Sequence, residues 1–196
     1  DLAGCVRQHD DIMTRRAQHG FTRFVMPGRE DPAAAAALDE AVRRIASIAL
    51  VHETLSNSTK TTVAFDDVLS SLITHSLELS PRMGELHIER IGEIGSLESR
   101  VATPLSLVVT ELIHNALEHG LSESGTHLRI ELQRYSNEGL VTISDDGVGL
   151  PANFDLATSS NLGLQIVRTL TENELQGELK LESTEKGTHA KLRFPL

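Results

Sequence analysis

Cysteine occurs once in these 196 residues, as Cys5, so no disulfide can close within the chain, as in a reducing compartment. Basic side chains are scarce too: 18 Lys and Arg against 28 Asp and Glu give a formal charge of −10. A protein that holds nucleic acid by neutralising phosphates needs a basic face, so nucleic acid is set aside as a partner. No apolar run approaches the ~18 residues of a membrane-spanning helix, which argues against direct membrane insertion. The start at Asp1 lacks the basic-then-apolar pattern of a secretory signal. The expectation is a cytoplasmic protein, with further chain upstream of a start that is not Met. A Gly-Lys-Ser/Thr sequence is missing, which excludes a P-loop, and no three spaced glycines form a dinucleotide-binding fingerprint.

Hydrophobic residues make up 39% of the chain and charged residues 23%, enough apolar surface for a real core in a globular protein. Met26-Pro27-Gly28 signals a turn, and Asp31-Pro32 reads as an N-cap and first helical position. From there to about Asn57 the pattern is helical. Leu38, Val42, Ile45, Ala49 and His52 recur at three- and four-residue spacings, with Ala41, Ile48 and Leu55 beside them. Such a wide apolar stripe belongs in a bundle. Residues from about Leu2 to Val25 supply a weaker partner helix. The two make a helical hairpin, and two hairpins make a dimeric four-helix bundle.

Beyond Ser58 the texture changes. Asp66 reads as the cap of a helix running to about Leu79, and Glu85 to Ile91 alternates like a strand. Ser99 to His119 is helical; Thr126–Gln133, Leu140–Ser144, Glu178–Ser183 and Thr188–Phe194 read as strands. Leu162 to Glu172 is a helix entered through Gly163. The order predicts an α+β architecture: an N-terminal hairpin over residues 1–60, then a mixed sheet with helices on one face over residues 61–196.

Three short segments carry chemistry. In the helix ending at His119-Gly120, Glu111, Asn115 and His119 recur every fourth residue and share one side. A carboxylate and an amide oxygen are hard ligands suited to Mg²⁺ beside phosphates; a solvated polar face is an equally good reading of this segment alone. Ser144-Asp145-Asp146-Gly147-Val148-Gly149 follows a strand. A carboxylate there can accept a hydrogen bond from an adenine amino group while the glycines let backbone approach a flat base, although a plain Asp-Gly turn fits this segment better taken alone. Asn161-Leu162-Gly163-Leu164 enters a helix through glycine and turns backbone N–H groups toward an anion.

In this order the three segments resemble the N box and glycine boxes of the GHKL (Bergerat) ATPases, and Lys186-Gly187-Thr188 resembles that family's closing Gly-Thr element. The resemblance covers residues 60–196 and implies an α/β sandwich with ATP and Mg²⁺ between helices and sheet. It implies Asn115 and Glu111 as the Mg²⁺-coordinating asparagine and its acidic neighbour, and Asp145 as the adenine acceptor supported by Thr188. Gly147 and Gly149 would lie beside the base, Gly163 and Leu164 on the phosphate side, and His119 in the same pocket. Residues 150–162 leave room for only a short lid, as in histidine kinases of the HWE-related subclass. Arg43 to Glu53 resembles the second dimerisation helix of such sensor kinases, some of them soluble and actinobacterial.

That likeness implies a homodimer that phosphorylates its own histidine and hands the phosphoryl group to a response regulator receiver domain, with any sensory part upstream. The subclass's His-His-Arg-Val-Lys-Asn-Asn run is absent. Counting back from Asp31-Pro32 puts His9 near the phosphoacceptor position, with Asp10 as its proton acceptor; an ordinary exposed helix residue is an equal reading. His52 precedes Glu53 but lies on the apolar stripe, as a packed residue would. His19, His75, His87, His127 and His189 show no partner pattern and read as structural. An anti-sigma-factor-type serine kinase and a degenerate ATP-binding pseudokinase are the alternatives.

Overall fold

The computed structural model describes residues 62–122, 124–159, 161–184 and 186–196, together with Leu38 and Val42. The expected N-terminal hairpin, with His9, Asp10 and His52, lies outside the described residues except for Leu38 and Val42, which are helical and exposed.

From residue 62 the elements run β1 (Thr62–Ala64), α1 (Phe65–Glu78), β2 (His87–Ile91), β3 (Ser96–Glu98) and α2 (Ser99–Asn115), which continues into a π-helical turn (Ala116–Gly120). β4 (His127–Arg134), β5 (Glu138–Asp145), α3 (Leu162–Thr169), a second π-helical turn (Leu170–Glu174), β6 (Glu178–Thr184) and β7 (Gly187–Pro195) follow. Five strands form one sheet in the order β2-β4-β5-β7-β6. β2 runs parallel to β4, and the other neighbours are antiparallel. β1 and β3 pair separately as a two-stranded ribbon.

Alternation explains the two faces of the sheet. Leu128, Ile130 and Leu132 of β4 are buried, as are Val141 and Ile143 of β5 and Ala190, Leu192 and Phe194 of β7. The register sets these in cross-strand rows: Leu132 beside Val141 beside Leu192, and Ile130 beside Ile143 beside Ala190. Phe65, Leu69 and Leu72 of α1 and Leu105, Val109 and Ile113 of α2 complete the core. Each such side chain contributes about 1.5–3 kcal/mol by leaving water. The opposite face is polar. Arg129 bridges Glu131 at 2.8 Å and Glu89 at 3.5 Å, and Lys180 lies 3.3 Å from Glu178. All but the half-buried Glu131 are well exposed, so these pairs keep the face in water more than they stabilise it. Helices on one side and a wet surface on the other match the architecture expected from the sequence.

Four expectations change. Asp66 does not cap α1: Ala64 holds that position without a side-chain bond. Instead the Asp66 carboxylate takes bonds from the backbone N–H groups of Ile94 (3.2 Å) and Gly95 (2.6 Å) and from Arg90 (2.7 Å). It ties the β2–β3 loop to the helix start. The helix expected over Ser99–His119 leaves the α pattern at Ala116, where Leu121 N–H reaches back five residues to the Ala116 carbonyl at 2.8 Å. The helix expected over Leu162–Glu172 likewise turns π-helical at Leu170. Two of the histidines without a partner pattern in the sequence have hydrogen-bond partners. His127 Nδ1 lies 3.1 Å from Asp146 Oδ2, and His189 Nδ1 lies 2.8 Å from the Ser144 hydroxyl.

Candidate functional site

A cavity of about 410 Å³ opens at the end of the sandwich where α2, the C-terminal end of β5 and the N-terminus of α3 meet. Leu112, Ile143, Val148, Phe154, Leu181 and Ala190 give it apolar walls, and Asp145, Asn115, His119 and Thr188 supply polar groups. A mostly apolar cleft with a few polar groups is the usual form of a small-molecule site.

The two-residue period of β5 decides which carboxylate faces it. Val141, Ile143 and Asp145 point toward the helices, so the strand's inner row ends on a carboxylate only 7% exposed. Asp145 Oδ1 accepts bonds from Gly147 N–H at 3.0 Å and Thr188 N–H at 3.3 Å. Burial holds its pKa above the ordinary carboxylate value; the bonds from Gly147 and Thr188 oppose that rise, and the neighbouring Asp146 charge adds to it. Asp146 lies the other way. It accepts from Thr126 N–H (2.8 Å) and His127 N–H (2.7 Å). Burial pushes its pKa up, but those amide bonds and the His127 ring outweigh it, and the result is lowered.

Backbone approaches this close require glycine. A Cβ on Gly147 would stand 1.9 Å from the Gly120 carbonyl oxygen, and one on Gly120 would meet the Asp145 carboxylate at 2.8 Å. Gly187 has φ +113°, and its Cβ would fall 2.0 Å from the Asp145 carbonyl oxygen, so β7 can enter beside Asp145 only through glycine. Gly149, at φ +73°, lines the cavity itself.

On the α2 side the cavity takes Asn115 and His119 but not Glu111, which is 8% exposed within the helix. The solvated polar face offered as an equal reading of this segment is therefore excluded at Glu111. The π-helical turn interrupts the four-residue repeat beyond Asn115, yet His119 still reaches the cavity. Asn115 lines the cavity as a half-buried residue, and its Nδ2 is itself buried without a hydrogen-bond partner. Its amide oxygen is a hard ligand of the kind a divalent ion beside phosphates takes. Among the described residues no group of three or more His, Cys, Asp or Glu could hold a metal alone; an ion here would draw ligands from phosphate. At the N-terminus of α3, Leu164 lines the cavity, whereas Gly163 is buried in the first turn without lining it. Asn161, where a first glycine would stand, caps the helix: its Oδ1 accepts from Leu164 N–H at 3.2 Å.

The structure thus gathers Asn115, His119, Asp145, Gly149, Leu164 and Thr188 around one space, with Gly147 packed behind it. Sequence reasoning passed over Gly120, Phe154 and Leu181. Gly120, directly after His119, carried a readable signal as a helix-ending glycine; Phe154 and Leu181 carried none beyond ordinary hydrophobicity.

Similarity to known proteins follows the same outline. Residues 100–196 match the model for histidine kinase-, DNA gyrase B- and HSP90-like ATPases, which defines the class of the sandwich and its site. Residues 24–80 match a histidine kinase model that begins after His9 and Asp10. The sensor histidine kinase PdtaS of Mycobacterium tuberculosis is 40% identical over 163 residues, 82% of this chain and 32% of its own length. PdtaS of Mycolicibacterium smegmatis is 40% identical over 164 residues, 82% of this chain and 33% of its own length. The chain therefore spans about a third of these relatives. The blue-light-activated histidine kinase EL346 of Erythrobacter litoralis shares the fold, with a TM-score of 0.70 at 24% identity over 82% of this chain and 50% of that one. The chain belongs to the histidine kinase family, with an ATPase domain of the GHKL type.

Proposed function

We propose that the chain is the core of a two-component sensor histidine kinase that uses MgATP to phosphorylate a histidine and passes the phosphoryl group to a response regulator aspartate. The observation that carries this reading is Asp145, a buried carboxylate facing an apolar cleft and ringed by glycine backbone. It accepts the adenine amino group while Thr188 and Gly147 hold it in place. Val148, Gly149 and Leu181 close on the faces of the base. Asn115 and the α3 N-terminus take the phosphates, with His119 beside them. Mg²⁺, when bound, neutralises charge between phosphate oxygens; Asn115 would hold it. Glu111, one turn earlier and outside the cavity, supports the phosphate side without touching the base. Glu111→Gln should therefore lower phosphoryl transfer and leave nucleotide affinity nearly unchanged, a separation that binding and labelling assays read directly.

Residues 1–60 supply the dimerising hairpin in this reading, and His9 is the acceptor with Asp10 taking its proton. The reaction depends on an in-line approach of an accessible imidazole. Incubation with γ-labelled ATP should yield acid-labile, base-stable phosphate that disappears in His9→Gln and persists in His52→Gln. Base-labile phosphate would favour an anti-sigma-factor-type serine kinase. One observation favours the pseudokinase reading: residues 1–196 contain no His-His-Arg-Val-Lys-Asn-Asn run. Tight nucleotide binding with no labelling would select it.

A further inference from the structure

The segment between Gly149 and α3 roofs the cavity through Leu150, Pro151, Phe154 and Ser159. Its first limb is fixed to the sheet, where Leu150 N–H donates to the Ser183 hydroxyl at 2.8 Å. Its return limb makes a turn of its own: Asp155 Oδ1 accepts from Ala157 N–H at 2.9 Å and Oδ2 from the Thr158 hydroxyl at 3.2 Å. Those bonds shape the turn but anchor it to nothing else. The anchor comes from α3. The Arg168 guanidinium donates to the Ala157 carbonyl at 2.6 Å, and Gln165 Nε2 to the Ser159 carbonyl at 3.3 Å. The two donors are three residues apart, hence on one side of the helix, and they grip the chain just beyond Phe154.

We propose that Arg168, assisted by Gln165, is a positioning residue that sets the nucleotide's residence time by latching the lid's return limb to α3. The inference rests on the nucleotide-binding reading above. Arg168 lines neither the cavity nor the Asp145 ring, so its influence passes through Ala157 to the Phe154 and Ser159 side of the roof. A charge-assisted hydrogen bond from a partly exposed guanidinium to one carbonyl is strong enough to alter release by about five- to ten-fold, and an effect of this kind falls mainly on dissociation. Lys at this position keeps a donor but loses the planar fork.

The test is stopped-flow release of a fluorescent N-methylanthraniloyl-ATP from the full chain with Mg²⁺. Arg168→Ala should speed dissociation about five- to ten-fold with an unchanged thermal midpoint of the nucleotide-free protein. Arg168→Lys should recover part of the loss, and Gln165→Ala should show a smaller change in the same direction. Arg193→Ala, on the wet face of the sheet, serves as the control and should release at the wild-type rate. Wild-type release from Arg168→Ala would overturn the latch while leaving the nucleotide site intact. A wild-type chain that fails to bind the probe would instead sink the nucleotide-binding reading itself. If Arg168→Ala lowers the thermal midpoint, Gln165→Ala decides: faster release at an unchanged midpoint supports the latch, and unchanged release overturns it.

Discussion

Asp66 and Asp145 sit in two regions of the same sandwich, and each accepts two backbone N–H bonds, yet they do opposite things. Asp66 is saturated. Ile94 and Gly95 amides and the Arg90 guanidinium fill its oxygens, and Arg90 reaches on to the Asp66 carbonyl at 3.2 Å and the Ser70 hydroxyl at 2.9 Å. Among the described residues no cation pairs with Asp145. Its partners are the Gly147 and Thr188 groups, its neighbour is another carboxylate, and a cleft opens in front of it. A carboxylate paired with a counter-charge closes a loop; a carboxylate buried beside a cavity without one waits for a donor from outside. The difference separates a structural clamp from the recognition group proposed at Asp145.

Substitutions should pull the two regions apart. The largest effect is expected from Asp66→Ala, which removes the counter-charge of Arg90 and leaves two amides without their acceptor. Urea denaturation should show a loss of about 2–4 kcal/mol with nucleotide affinity retained. Gly120→Ala blurs the distinction, because its Cβ presses on the Asp145 carboxylate. It should cost about 1–3 kcal/mol of stability and weaken nucleotide binding as well, by urea melts and calorimetry on the same samples.

Asp145→Asn sharpens the distinction. Because burial raises the folded-state pKa of Asp145, the native protein holds that proton more tightly than the unfolded chain does. Its contribution to stability is present below the ordinary carboxylate value and is lost as pH rises through the raised one. At neutral pH the wild type therefore carries the cost of a buried ionised group that Asn removes. Thermal melts of the nucleotide-free proteins should show the Asn variant more stable at pH 7, with the gap closing toward acid. Nucleotide affinity should fall in the same variant, the exchange of function for stability expected at a binding site.

The sequence foretold most of this region because alternation and helical periodicity are local signals. β4, β5, β6 and β7 appear within a few residues of their expected bounds, and Leu105, Val109 and Ile113 of α2 join the core. β1 and β3, three residues each, are too short to show a period. The parallel pairing of β2 with β4 has no signature in either strand. Asp66 misled for a physical reason: a carboxylate beside a helix start looks like a cap, and its actual donors lie in residues 90–95, invisible to local reading. At the site, Asp145 was legible only through the order of the three segments, because its Asp-Gly neighbourhood taken alone reads as a plain turn. Asn161 was read only as a departure from glycine, although Asn three residues before Leu164 is an ordinary N-cap signal. The Gly120–Gly147–Asp145 contact was hidden, since it joins the end of one helix to the end of a strand.

Titration calorimetry of MgATP into wild type and Asp145→Ala tests the proposed recognition of an adenine base by Asp145. Removing the acceptor should weaken binding by about 1–3 kcal/mol, while MgGTP, which lacks the amino group at that edge, should bind the wild type poorly. Equal MgATP affinity in wild type and Asp145→Ala would contradict the assigned site.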